Sequence, residues 1–231
     1  MPTFGPYMKS TPPLKPLLLI AVFLLPLLVS AQESNLGNWL IYFGNKKLGD
    51  RFNWHHEVQY RNYNAIGDLE QLLLRTGIGY NLTENNHNLL VGYGFIRSEN
   101  YFSDNDTKVV VNEHRIYQQF ITKQTANRIK LQHRYRFEQR FVEADYRMRF
   151  RYFLSINVPL NHREMEDKTL YLSTYNEIFL NSERVVFDRN RLYGGLGYKL
   201  NNHVRFEAGY MNQFLNTFNR DQINLIAFVG F

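Results

Sequence analysis

The chain has 231 residues, no cysteine and a formal net charge of +6, from 27 Lys and Arg against 21 Asp and Glu. The absence of cysteine excludes disulfide bonds and a lipoprotein anchor, and the small, dispersed charge argues against a nucleic-acid partner. The 16 Tyr and 18 Phe are more informative. Aromatic residues are enriched in strands, and they form girdles at both interfaces of membrane barrels.

The N-terminal segment has the pattern of a secretory signal peptide. Lys9 and Lys15 precede or begin an apolar run that ends at Val29-Ser30-Ala31, the small residues that a signal peptidase requires. The run is shorter than the roughly 20 residues of a membrane-spanning helix. We therefore expect residues 1–31 to be a cleaved signal peptide and residues 32–231 to form a single exported domain. A retained membrane anchor is the alternative.

Strand-like segments separated by turn residues follow this segment. Trp39–Lys47 and Phe52–Tyr63 flank Leu48-Gly49-Asp50, which predicts a β-hairpin. Further candidate strands lie near 71–80, 89–95, 109–123, 129–141, 147–158, 169–181, 189–200, 204–214 and 222–231. Many are longer than the five or six residues usual in soluble sheets and long enough for a tilted membrane strand.

These eleven candidates conflict with the even strand number expected of a bacterial barrel. Either the Trp39 segment is not a full strand, or a further strand lies within 98–111. The stretch from Ser98 to Lys108 is also the one connection long enough to resemble a folded constriction. We expect an all-β, antiparallel transmembrane β-barrel of about 10–12 strands.

Charged and apolar residues alternate between Ile129 and Val158, with a break at 142–145. Because side chains of a strand point alternately to its two faces, one face is charged and the other apolar. Arginine dominates the charged face, and its planar fork suits enclosed ion-pair networks. We predict that this face lines the lumen, through Glu113, Arg115, Arg134, Arg136, Glu138, Arg140, Arg147, Arg149, Arg151, Glu177, Arg189, Arg191, Arg205 and Glu207.

Alternation alone also fits a soluble, lipocalin-like barrel with Leu131, Tyr135 and Phe137 inside. The signal peptide, the strand lengths and the final strand favour the membrane instead. That strand alternates from Ile223 to the terminal Phe231, which is typical of the C-terminal signature read by the barrel assembly machinery. We therefore predict Phe231 to be an assembly signal.

Several segments resemble a bacterial outer-membrane family, domain of unknown function 2490. The residues that carry the resemblance are NEHRIYQQ (112–119), HRYRFEQR (133–140), RMRFRY (147–152), NEIFLN (176–181) and FDRNRLY (187–193). The resemblance covers most of the mature chain. It implies an outer-membrane barrel and brings no activity and no catalytic residues.

We predict no catalytic, cofactor or metal site. Outer-membrane lipid-modifying enzymes use Ser with His, and no His follows a Ser here at the short spacing of those families. His114 and His133 fall on the apolar parity and are expected near lipid headgroups. His55 and His56 point to opposite faces, and Asp104-Asn105-Asp106 is interpreted as a solvated loop tip rather than a Ca²⁺ site.

The expected function is that of a non-enzymatic outer-membrane barrel of structural or narrow-channel type. Its Arg/Glu-lined lumen would pass small anions if it were open. The expected partners are outer-membrane lipids and the barrel assembly machinery. Two alternatives stay open: a lipid-modifying outer-membrane enzyme and a secreted soluble barrel that binds an apolar ligand.

Overall fold

The computed structural model describes residues 36–65, 67–83, 86–102 and 107–231, whose regular elements are all β-strands. The predicted all-β class is confirmed, while the proposed signal peptide (1–31) lies outside the described residues. No helix in the described part of the chain is long and apolar enough to cross a membrane. The strands are β1 (Leu36–Leu48), β2 (Phe52–Asn62), β3 (Leu69–Asn81), β4 (His87–Tyr101), β5 (Lys108–Ala126), β6 (Ile129–Val142), β7 (Asp145–Pro159), β8 (Thr169–Asn181), β9 (Phe187–Lys199), β10 (Val204–Leu215) and β11 (Asn219–Gly230).

The eleven strands of the described residues form a closed barrel. Sequence neighbours pair antiparallel, but β1 runs parallel to β11, from Leu36 opposite Asp221 to Asn45 opposite Gly230. The strand number lies in the predicted range, whereas the odd count and the parallel seam differ from the expected even, antiparallel barrel. The physical reason is geometric: with an odd number of up-and-down strands, the first and last point the same way. The Trp39 segment is a complete strand.

The stretch 98–111 was wrongly expected to hold a constriction loop or a further strand. It lengthens two known strands instead, because β4 continues to Tyr101 and β5 begins at Lys108. The connection shrinks to 102–107, and its residues 103–106, including Asp104-Asn105-Asp106, lie outside the described residues. The break at 142–145 is also shorter than predicted, since only Glu143 and Ala144 separate β6 from β7.

Alternation places opposite chemistries on the two faces of the wall. On β7, Phe150 is 55% exposed, while its neighbours Arg149 and Arg151 are buried. On β3, Leu74 is exposed beside the buried Arg75. Exposed side chains on the outer face are therefore mainly apolar and buried ones largely polar, the reverse of a water-soluble domain.

Two tyrosines lie flat over glycines on the inner face. Tyr171 of β8 is directly opposite Gly197 of β9, and Tyr117 of β5 is opposite Gly92 of β4. A Cβ atom at either glycine would overlap the tyrosine ring. The Tyr171 hydroxyl donates a hydrogen bond to Glu207 Oε1 at 2.9 Å, which holds that ring in place. The glycines thus make room for large rings against the wall.

We expect Gly197→Ala to lower the free energy of unfolding by about 1–3 kcal/mol, because the added methyl group overpacks against Tyr171. Gly194→Ala on the same strand is the matched control, since a Cβ there meets nothing within 4 Å. It should change the free energy of unfolding by less than about 0.5 kcal/mol. Urea unfolding of the detergent-refolded protein measures both variants. Equal effects would show that the ring over Gly197 imposes no packing constraint.

Candidate functional site

The inner faces of β5 to β9 carry much of the barrel's buried charge. Of the predicted lumen-lining residues, the buried ones are Glu113, Arg115, Arg136, Glu138, Arg149, Arg151, Glu177, Arg191 and Glu207. The partly exposed ones are Arg134, Arg140, Arg189 and Arg205. Arg147 differs, because it is exposed at the start of β7 and pairs there with Asp145 and Glu183. It lies apart from the buried network.

Glu138 is the most enclosed carboxylate of this network, with 0% of its surface exposed. Its Oε1 lies 2.6 Å from Arg151, and its Oε2 lies 2.7 Å from Arg149. The guanidinium groups of Arg136 and Arg115 follow at 3.7 and 4.0 Å. One carboxylate therefore sits among four arginines from three strands.

Glu177 forms a second centre on β8. Its Oε1 accepts hydrogen bonds at 2.7 Å from both Arg134 and Arg151, and Arg191 lies 3.9 Å from its Oε2. Arg151 thus bridges Glu138 and Glu177, and it ties β6 and β8 to β7. Because an unpaired buried charge is very costly, removal of either carboxylate would weaken several strands together.

Other pairs extend the network around the wall. Glu113 binds both Arg115 and Arg140 at 2.5 Å. Glu57 of β2 binds Arg75 of β3 at 2.6 Å. Arg75 was missed by the sequence reasoning, although it shares the inward parity of its strand, which was the available signal.

The opposite side of the interior is apolar, which the sequence reasoning also missed. The buried cluster there consists of Trp39, Ile41, Tyr193, Met211 and Ile226, from β1 and β9 to β11. These residues alternate with outward apolar residues, so no contrast in polarity marked them as inward. Charged and apolar halves meet where the guanidinium of Arg191 lies 4.8 Å from the Trp39 ring centroid and 4.6 Å from that of Phe179.

The outer face carries a few polar groups, and cross-strand neighbours satisfy them. The His114 and Tyr93 side chains share a hydrogen bond of 2.6 Å, and His133 and Tyr152 share one of 2.9 Å. Among the described residues, no group of three or more His, Cys, Asp or Glu side chains could hold a metal ion.

The terminal Phe231 continues the seam beyond β11. Its backbone N–H donates to the Asn45 carbonyl at 2.9 Å, and its carbonyl accepts from the Lys47 N–H at 3.2 Å. The ring is 59% exposed and lies 5.9 Å from the His56 ring. Its role as an assembly signal stays a prediction.

We expect Glu138→Gln to lower the free energy of unfolding by about 3–5 kcal/mol, because several buried arginines lose their shared negative charge. Glu183→Gln makes the same chemical change in an exposed pair with Arg147. It should cost less than about 1 kcal/mol. Urea unfolding midpoints in detergent compare the two. A Glu138→Gln protein as stable as Glu183→Gln would contradict the central role of Glu138.

Comparison with known proteins finds one family. No curated protein and no solved structure matches the chain. The family model described as "Protein of unknown function (DUF2490)" matches residues 36–224, which run from the first residue of β1 into β11. This agrees with the resemblance carried by the charged strands. The chain therefore belongs to the DUF2490 family of proteins of unknown function.

Proposed function

We propose that this protein is a bacterial outer-membrane β-barrel, exported by a signal peptide at residues 1–31 and non-enzymatic in function. The observation that carries the proposal is the reversed polarity of the wall. Side chains such as Ile78, Leu192 and Leu225, each at least 45% exposed, cover the outer face, while charged side chains are buried inside. Only a hydrocarbon surrounding makes such an outer surface favourable over a whole barrel.

The secreted soluble barrel is less well supported. It requires an apolar interior, with Tyr135 and its parity neighbours directed inward. Tyr135 is instead 50% exposed, whereas Arg136 and Glu138 are buried. A lumen walled by guanidinium and carboxylate groups is a poor site for an apolar ligand, because that ligand satisfies none of their hydrogen bonds.

The interior supports a structural or narrow-channel role. A wide aqueous pore leaves its lining exposed to water, but Arg136, Arg149 and Arg151 are at most 5% exposed. Their ion pairs cross the interior between strands that are not neighbours, as from Arg134 on β6 to Glu177 on β8. We propose that these pairs narrow or close the lumen and that any residual path favours small anions.

The proposed partners are outer-membrane lipids around the apolar wall and the assembly machinery at Phe231. A lipid-modifying enzyme remains the second candidate of the sequence reasoning. The described serines have structural partners that fit a non-enzymatic wall: Ser173 donates to Glu207 at 3.0 Å, and Ser98 accepts from Gln71 at 2.7 Å.

The membrane proposal predicts that Leu225→Arg impairs insertion. Arginine on the lipid face of a barrel costs about 2–4 kcal/mol near the bilayer midplane. Leu225 is 45% exposed in the middle of β11, while Leu82 is 51% exposed in the connection after β3. Leu82→Arg is therefore the matched control and should insert normally. The measurement is heat-modifiable gel migration of the protein recovered from outer-membrane fractions.

A freely soluble periplasmic protein, or equal insertion of the two variants, would overturn the membrane proposal. A soluble barrel tolerates an exposed Leu→Arg change at either position, so the comparison separates the two classes. It requires no knowledge of the biological role.

Planar-bilayer recording tests the state of the lumen. We expect either no conductance steps or small, anion-selective ones, because the buried network blocks the path and carries a surplus of arginine. Large or cation-selective steps would contradict the narrow, arginine-lined lumen. The folded state of each preparation is checked by its heat-modifiable migration.

A further inference from the structure

Positive charge exceeds negative charge within the barrel. The buried arginines are Arg61, Arg75, Arg115, Arg136, Arg149, Arg151 and Arg191, and the buried glutamates are Glu57, Glu113, Glu138, Glu177 and Glu207. The partly exposed Arg134 and Arg140 also draw on Glu177 and Glu113. The carboxylates are thus heavily shared. Where the surplus is concentrated, an additional negative charge stabilises the interior.

Arg61 is the buried arginine with the least compensation. Its Nε and NH1 donate to the neutral amide oxygens of Gln59 and Gln71, at 3.0 and 2.7 Å. In the described residues, no carboxylate lies within 4.0 Å of its guanidinium group. The acidic residue that attracts it is Glu70, which Arg220 already binds with two hydrogen bonds of 2.5 and 3.0 Å.

Arg191 is the second weakly compensated cation. Its Nε donates to the amide oxygen of Gln213 at 2.8 Å. Its carboxylate neighbour Glu177 is 3.9 Å away and is held more closely by Arg134 and Arg151. Arg191 is therefore also left with excess positive charge.

Both cations lie over one indole ring. The guanidinium carbon of Arg61 is 3.7 Å from the Trp39 ring centroid, and that of Arg191 is 4.8 Å away. Trp39 is 3% exposed, and its indole Nε1 has no hydrogen-bond partner. Gln222, fully buried and opposite Gly37 at the preceding inward position of β1, has an unpartnered side-chain amide as well. Unused donors and surplus positive charge occur together here.

We propose that a small inorganic anion, of about the size of chloride, binds between Arg61 and Arg191 beside Trp39. The inference rests on the proposed function, because it assigns a ligand to the arginine-rich lumen of that barrel. The full enclosure of the surrounding side chains favours a small ion over an organic anion. Arg61 is the penultimate residue of β2, and Trp39 lies in the first turn of chain after the start of β1, so the site is near one mouth of the barrel.

The two tryptophans of the chain allow a direct test. Trp54 lies on the outer face, where its Nε1 donates to Thr76 at 2.8 Å, so Trp54→Phe leaves Trp39 as the single reporter. Iodide is the probe, because it is a halide that quenches indole fluorescence. We expect saturable quenching of Trp39 by iodide, competition by chloride, and no such effect of caesium or gluconate at equal ionic strength.

Arg61→Gln and Arg191→Gln in the Trp54→Phe background should each weaken the apparent iodide affinity by about tenfold, since each removes a charged donor. Arg61→Lys is the second variant, which retains the charge if the Gln variant fails to fold. Arg147→Gln, at an exposed arginine outside the buried network, is the control and should leave the affinity unchanged.

Quenching that is linear in iodide, or that is the same in Arg61→Gln and in the parent protein, would overturn the anion site. Heat-modifiable migration of the same samples reports on the barrel itself. A protein that migrates as a folded barrel but shows no saturable quenching refutes only the anion site. One that shows no folded form refutes the proposed function.

Discussion

Charge compensation among buried arginines is the constraint on which the rest of this structure depends. Glu138 and Glu177 are joined through Arg151, whose guanidinium lies 2.6 Å from one carboxylate and 2.7 Å from the other. In a low-dielectric interior such contacts are strong, and the loss of one partner leaves a charge that nothing nearby can solvate. Strands β6, β7 and β8 are therefore held at the spacing that these side chains can reach. The narrow interior follows from that reach.

The wall accommodates this interior by being thin where rings are large. Tyr117 and Tyr171 occupy the space that a Cβ atom would take at Gly92 and Gly197. Closure through the parallel pairing of β1 with β11 leaves no free strand edge in the described barrel. Every backbone group of the seam can thus be satisfied within the wall, which is the condition for a β-structure to reside in a bilayer.

The interior is divided into a charged half and an apolar half, and the division bears on function. Glutamates neutralise the arginines on β5 to β8, while Arg61 and Arg191 rest on the Trp39 ring with amide partners. A cation over an aromatic face is stabilised, but its charge is not cancelled. The same surplus that favours a small bound anion also sets the expected selectivity of any residual path. Plug and anion site are two consequences of one excess of arginine.

The sequence by itself determined the strands, their two-faced chemistry and the inward parity of residues such as Arg136 and Glu138, because alternation along a strand is a local property. It also indicated the family, through the charged strands. Tertiary structure alone decided the parallel seam, the long β4 and β5, and the exclusion of Arg147 from the network. It also placed Trp39 between Arg61 and Arg191. These depend on which strands become neighbours and which side chains meet across the interior. Local periodicity carries no information on either, since closure and contact across the lumen are set by the whole barrel.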